Sequence, residues 1–131
     1  MSIRNQLACL CLFAVYFFVP TARADEEAAI AAINAAGGTV RVIAKDTADK
    51  EATFHLSDKD VTDDALVPLK DVPDLVWVNL RGTKITDEGL KHLADLKKLN
   101  RLHLEKTGIT DAGLAHLKNL ENLEYLNLGS I

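Results

Sequence analysis

A period of 24 residues runs through the second half of this chain. Leu75, Leu99 and Leu123 stand 24 apart, as do Val78, Leu102 and Leu126, and Leu80, Leu104 and Leu128. The text between them repeats too: Ile85-Thr86-Asp87-Glu88-Gly89-Leu90 returns as Ile109-Thr110-Asp111-Ala112-Gly113-Leu114. A fixed period in this range, spaced L-x-x-L-x-L, predicts coils stacked as a solenoid, because one such unit cannot bury its apolar face alone.

Each coil is expected to hold a short strand, a turn and a helix. The strands are placed at 53–56, 77–80, 101–104 and 125–128, and the helices at 63–70, 87–96 and 111–120. Leu90, Leu93 and Leu96, like Leu114, Leu117 and Leu120, keep one helical face inward. The first coil is degenerate. Phe54 and Leu56 fall 24 before Val78 and Leu80, and Val61-Thr62-Asp63 falls 24 before Ile85-Thr86-Asp87. Residues 51–131 thus make about three coils and a final strand. The expected class is α/β: a curved parallel sheet on the concave side and helices on the convex side.

Residues 25–50 do not match the period. Asp25, Glu26 and Glu27 favour the start of an Ala-rich helix over 25–38 that Gly37-Gly38 stop, and 39–44 alternates as a strand. This block is expected to cap the first core layer of the stack. Residues 1–24 read as a secretory signal peptide: Arg4, an apolar run from Leu7 to Val19, then Pro20 and the small residues of Ala22-Arg23-Ala24. The run is shorter than the roughly 20 residues a membrane span needs. The expected location is therefore periplasmic or secreted, with no membrane association after cleavage; the alternative is an uncleaved anchor, because Asn5 to Ala22 carries no charge.

Cys9 and Cys11 both lie in that leader, so the mature part has neither a disulfide nor a thiolate metal site. It carries all 19 acidic residues and 13 of the 15 Lys and Arg, a net charge of about −6. That balance argues against nucleic acid, whose binding rests on cationic contacts.

On these residues the chain resembles the leucine-rich repeat proteins. It is most similar to the subtype L-x-x-L-x-L-x-x-T-x-I-T-D-x-G-L-x-x-L of exported planctomycete-type bacterial proteins, itself similar to the cysteine-containing repeats of eukaryotic F-box adaptors. The resemblance covers residues 51–131 and implies a protein-binding role with no catalytic residues. Three departures stand out. Lys59 and Ile131 occupy the slot of Thr83 and Thr107, Glu51 replaces the leading leucine, and the text stops midway through a coil. The strand around Leu126 is then an open edge, a template for pairing with another chain.

The Thr-Asp pairs at 62–63, 86–87 and 110–111 are read as helix caps and first-turn acids rather than as a repeated site. Thr83 and Thr107 are read as satisfying turn backbone, and Gly89 and Gly113 as allowing close packing at the first helical turn. His92 and His116 share a helical position but lack a third ligand, and are read as exposed wall residues. His55 and His103 are two coils apart. Ser57 and Ser130 are the serines beyond the leader, and no base, orienting carboxylate and oxyanion donor converge on either. No enzyme, metal or cofactor is expected.

Function is expected on the sheet's outward face. Alternation turns Val78 and Leu80 inward and Trp77, Asn79 and Arg81 outward. Stacking gives three columns: Thr53, Trp77, Arg101, Tyr125; His55, Asn79, His103, Asn127; and Ser57, Arg81, Glu105, Gly129. The candidate partner-binding residues are Trp77, Arg101, Tyr125, Asn79, His103, Asn127, Arg81 and Glu105. Trp, Tyr and Arg are the types enriched at binding hot spots; the bland alternative has Arg101 stacked between two aromatic rings. The leading reading is an exported, non-enzymatic module that binds a protein or peptide. The alternatives are a solenoid that self-associates through its C-terminal edge strand, and a module for cell-envelope carbohydrate.

Overall fold

Short β-branched and leucine runs separated by polar turns make strands too short to bury anything singly, so they must pair. A computed structural model describes residues 21–129; most of the expected leader and the position assigned to Ile131 lie outside them. Five strands form one sheet in the order β1-β2-β3-β4-β5: β1 Thr39–Val42, β2 Lys50–Thr53, β3 Leu75–Asn79, β4 Arg101–His103 and β5 Tyr125–Asn127. β1 is antiparallel to β2, and β2 to β5 are parallel throughout. Val78 pairs with Leu102 and Leu102 with Leu126, the register that the 24-residue period requires.

Between strands the chain returns along one side of the sheet. The returns differ from the continuous α-helices expected. Asp63–Asp71 is 3₁₀-helix throughout, with Pro68 inside it. The next is a single α turn, α2 (Asp87–Leu90), followed by 3₁₀ residues Lys91–Leu93. The last is α3 (Asp111–Leu114), followed by Ala115–Asn119. The reason lies in the leucine spacing. Leu66, Leu69 and Val72, or Leu90, Leu93 and Leu96, recur every third residue, and side chains three apart eclipse at 3.0 residues per turn but drift at 3.6. All six of these are buried.

The core lies between the returns and the inward face of the sheet. Leu75, Val78, Leu80, Leu99, Leu102 and Leu104 reach it from the strand side, and Leu90, Leu93, Leu117 and Leu120 from the returns. Each fully buried leucine contributes about 1.5–3 kcal/mol relative to exposure. At one end Ile33, on the preceding helix α1 (Thr21–Ala35), joins Phe54 in this core. At the other end burial fails: Leu114, Leu123 and Leu128 are partly covered and Leu126 is 38% exposed.

α1 is already helical at Thr21, the first described residue, so Asp25, Glu26 and Glu27 lie within it rather than in its first turn. Glu26 instead pairs with Lys50 at 2.9 Å. Gly37 ends the helix at φ +95°, with the Gly38 N–H donating to the Ile33 carbonyl at 2.9 Å.

The first coil corrects the 24-step alignment. Ala52 pairs with Val78 and Thr53 with Asn79, an offset of 26. The Phe54 N–H donates to the Asn79 carbonyl as Leu80 does to His103, so Phe54 takes the Leu80 position. The strand is therefore Lys50–Thr53 rather than 53–56. The Lys84 N–H then donates to Val61 as Gly108 does to Ile85, which restores the 24 offset. Two extra residues in the turn between Phe54 and Val61 absorb the difference. As a result Leu56, expected inward, is 78% exposed. Ser57, not Lys59, fills the Thr83 slot, its N–H donating to Phe54 at 3.0 Å. Lys59 instead donates its Nζ to the Ala35 carbonyl at the end of α1, at 2.6 Å.

The Thr-Asp pairs also do something other than expected. Thr62, Thr86 and Thr110 make no side-chain cap bond to their own helices. Two of the aspartates, Asp63 and Asp87, reach forward instead. Asp63 accepts from the Thr86 N–H at 2.8 Å and hydroxyl at 2.6 Å, and Asp87 accepts from Thr110 at 2.7 and 2.6 Å. Those bonds hold the Asp87 carboxyl below the usual carboxylate range. Gly89 and Gly113 make room: a Cβ at either would overlap the carboxylate of the preceding coil. Thr83 and Thr107 do serve the turns, donating to Leu80 at 2.6 Å and Leu104 at 2.7 Å.

Candidate interaction surface

With the returns on one side, every second strand residue faces the other way. The register sets Trp77 beside Arg101 and Arg101 beside Tyr125, and Asn79 beside His103 and His103 beside Asn127. All six candidates on these strands are thereby brought together. Arg81 and Glu105, just past the strands, join them through an ion pair, Arg81 Nε to Glu105 Oε2 at 3.3 Å.

The first coil contributes differently from the expected columns. Glu51 stands beside Trp77 and Thr53 beside Asn79. His55 and Ser57 have left the sheet for the longer turn. Glu51 is half-buried and holds Arg41 of β1 at 2.6 Å. The sequence carries a signal for this, since Ala52-x-Phe54 fits the alternation of Val78-x-Leu80 as well as Phe54-x-Leu56 does, although a strict 24-residue period favours the second pair.

Three aromatic rings make a run across the strands. His103 lies between Trp77, with centroids 5.9 Å apart, and Tyr125, at 5.3 Å, each pair tilted by about 40°. The ring between Trp77 and Tyr125 is therefore His103, and Arg101 does not stack there as the bland alternative supposed. Diagonal neighbours on a sheet are within reach of aromatic side chains. The Trp77 indole N–H is shielded from solvent and has no acceptor among the described residues, so packing alone holds the ring. Tyr125 is 48% exposed.

The polar side chains beyond the rings are tied to one another. Asn127 Nδ2 donates to Glu105 Oε1 at 2.7 Å, so Glu105 bridges Asn127 and Arg81. Asn79 Oδ1 accepts from the Arg81 N–H at 3.2 Å and Asn127 Oδ1 from the Gly129 N–H at 3.1 Å, which fixes the turn after each strand. Two shallow depressions flank Arg101. One of about 250 Å³ is lined by Ile43, Val76, Trp77, Asn100 and Arg101. The other, of about 520 Å³, is lined by Arg101, His103, Glu124 and Tyr125. Ile43 and Glu124 had no place in the sequence-based columns.

His92 and His116 are half-buried on the returns rather than exposed. Among the described residues no group of three or more His, Cys, Asp or Glu is placed to hold a metal ion. No helix of those residues is long and apolar enough to cross a membrane.

Parallel strands, β3 to β5 in 24-residue register, joined by short helical returns, fit an α/β repeat fold. The family described as Leucine Rich repeat matches residues 75–94 and 95–117, which supports a leucine-rich repeat protein. Such repeats generally mediate protein–protein interaction and are typically non-enzymatic. No curated protein matches the chain.

Proposed function

We propose that this chain is an exported, non-enzymatic leucine-rich solenoid whose concave sheet face binds a protein or peptide partner. Residues 1–24 act as the leader that directs it to the periplasm or outside the cell. α1 and β1 cap the stack, with Ile33 covering the core beside Phe54. The observation that carries the reading is the aromatic run Trp77–His103–Tyr125, set on the face that the core does not use. Large, stiff rings supply contact area at little entropic cost, which is why such residues dominate binding energetics. The repeat text I-T-D-x-G-L is the one shared with the exported-bacterial subtype, and its Asp, Thr and Gly act together between coils.

The test is capture from the native envelope with the purified chain, compared with a Trp77→Ala/Tyr125→Ala double variant. Loss of the captured protein by a variant that keeps its circular dichroism supports the proposal. Undiminished capture refutes it.

A second reading, self-association through β5, is favoured by the 38% exposure of Leu126 at the edge of the sheet. It requires a solution mass of two chains that halves on Leu126→Asp.

A further inference from the structure

Three arginines stand on the outward face, and two of them are answered within the protein. Arg41 is held by Glu51 at 2.6 Å and Arg81 by Glu105 at 3.3 Å. Arg101 is exposed and makes no ion pair or side-chain hydrogen bond among the described residues. It is also the residue common to both depressions. In register it stands between Trp77 on β3 and Tyr125 on β5.

We propose that Arg101 anchors a carboxylate of the bound chain, and that the partner presents an acidic residue beside an apolar one. The inference rests on the reading of this face as the partner-binding surface. A guanidinium offers a planar fork of donors that matches a carboxylate with two parallel bonds. Neighbouring rings displace water from the pair as it forms, and a charged bond strengthens when its surroundings are less polar.

The two depressions differ in chemistry and set what lies on either side of the acid. Toward β1 the walls are Ile43, Val76 and Trp77, with Ile43 47% exposed, a place for an aliphatic side chain. Toward β5 the wall includes Glu124, which repels a second acid and suits a neutral or basic residue. Glu105 cannot substitute as the anchor's partner, because Arg81 and Asn127 already occupy its two oxygens. A chain that is acidic overall repels a generally acidic partner, so a single well-placed carboxylate is selected over an acidic run.

The test is to pan a phage-displayed library of random peptides against the folded chain and to titrate the enriched peptides in solution. Enriched peptides should share an Asp or Glu next to an aliphatic residue, and Arg101→Gln should weaken them about tenfold or more. Arg101→Lys should restore part of that loss, since a point charge remains without the fork. Replacing the peptide's acid by its amide should weaken binding to the parent chain and not to Arg101→Gln. Enriched peptides that need Trp77 but neither an acid nor Arg101 overturn the inference and leave the binding face standing. Peptides indifferent to Trp77, Tyr125 and Arg101, or no enrichment at all, overturn both.

Discussion

Phe54 and Leu56 sit two residues apart in the first coil, and truncating each to alanine separates two registers of the whole N-terminal half. Under a strict 24-residue step both side chains face the core, and both truncations are costly. In the structure Phe54 is 1% exposed and Leu56 is 78% exposed. Removing three carbons from Leu56, at about 0.8 kcal/mol per fully buried methylene and with only about a fifth of the side chain covered, costs roughly 0.5 kcal/mol. Removing the Phe54 ring loses its burial and leaves a cavity against Ile33 and the Gly38 backbone, about 3–5 kcal/mol. With a urea slope of about 1–3 kcal/mol per molar, Phe54→Ala should move the unfolding midpoint by roughly 2 M and Leu56→Ala by less than about 0.5 M. Trp77 is the sole tryptophan and reports the transition by fluorescence. A small domain has about 5–15 kcal/mol to lose, so Phe54→Leu, at about 1 kcal/mol, serves as the milder probe. A loss of about 2 kcal/mol or more from Leu56→Ala, alongside the loss from Phe54→Ala, would show that the offset of 26 is wrong.

Three further expectations follow from the same structure. Gly113→Ala pushes a Cβ into the Asp87 carboxylate; it should lower the melting temperature, and adding Asp87→Ala should cost little more, since both disrupt one set of bonds. Lys106 holds φ 55°, where its counterpart Gly82 holds φ 72°; Lys106→Gly should stabilise by about 0.5 kcal/mol in chemical denaturation, and Gly82→Lys should destabilise by about 1 kcal/mol. The hydrogen bond from Lys98 holds the Asp74 carboxyl below its ordinary 3.8. The unfolded chain therefore takes up that proton first, and the contribution is whole above pH 3.8 and fades as pH falls through the lower folded value. Urea midpoints measured between about pH 6 and pH 2 should fall less steeply in Asp74→Asn than in the parent.

How much of this was legible before the structure depends on which physical rule wrote each feature. The register of β3, β4 and β5 and the inward set Val78, Leu80, Leu102 and Leu104 follow from hydrophobic burial, which leaves an explicit period in the text. The three-residue spacing of Leu90, Leu93 and Leu96 already announced 3₁₀ geometry, but a generic helical template hid it. The first coil is ambiguous in sequence because Phe54 is compatible with two registers, and only the length of the following turn chooses between them. The forward reach of Asp63 and Asp87 was invisible for a different reason. A Thr-Asp pair before a helix is a sound local cap, and only the stacking of coils offers those carboxylates a better donor pair. On the outward face, alternation located Trp77, Arg101 and Tyr125, yet it could not say that His103 would take the place between the rings or that Glu105 would be consumed by Arg81 and Asn127.

Comparison of the coils with one another separates scaffold from surface. The positions that join coils recur with the same chemistry: Asp63 and Asp87 as acceptors, Thr86 and Thr110 as donors, Gly89 and Gly113 as the gaps that admit them. The outward position of each strand does not recur. It reads Glu51, Trp77, Arg101 and Tyr125, an acid, an aromatic, a cation and another aromatic on four neighbouring strands. A position that merely needed to be soluble would be served by any small polar residue, and a tryptophan whose N–H has no acceptor among the described residues contributes nothing to solubility. Repetition where the coils touch and variety where they face outward is the pattern expected of a rigid frame that displays a particular combination of side chains. In that combination Arg101 alone among the outward arginines has no ion-pair partner among the described residues.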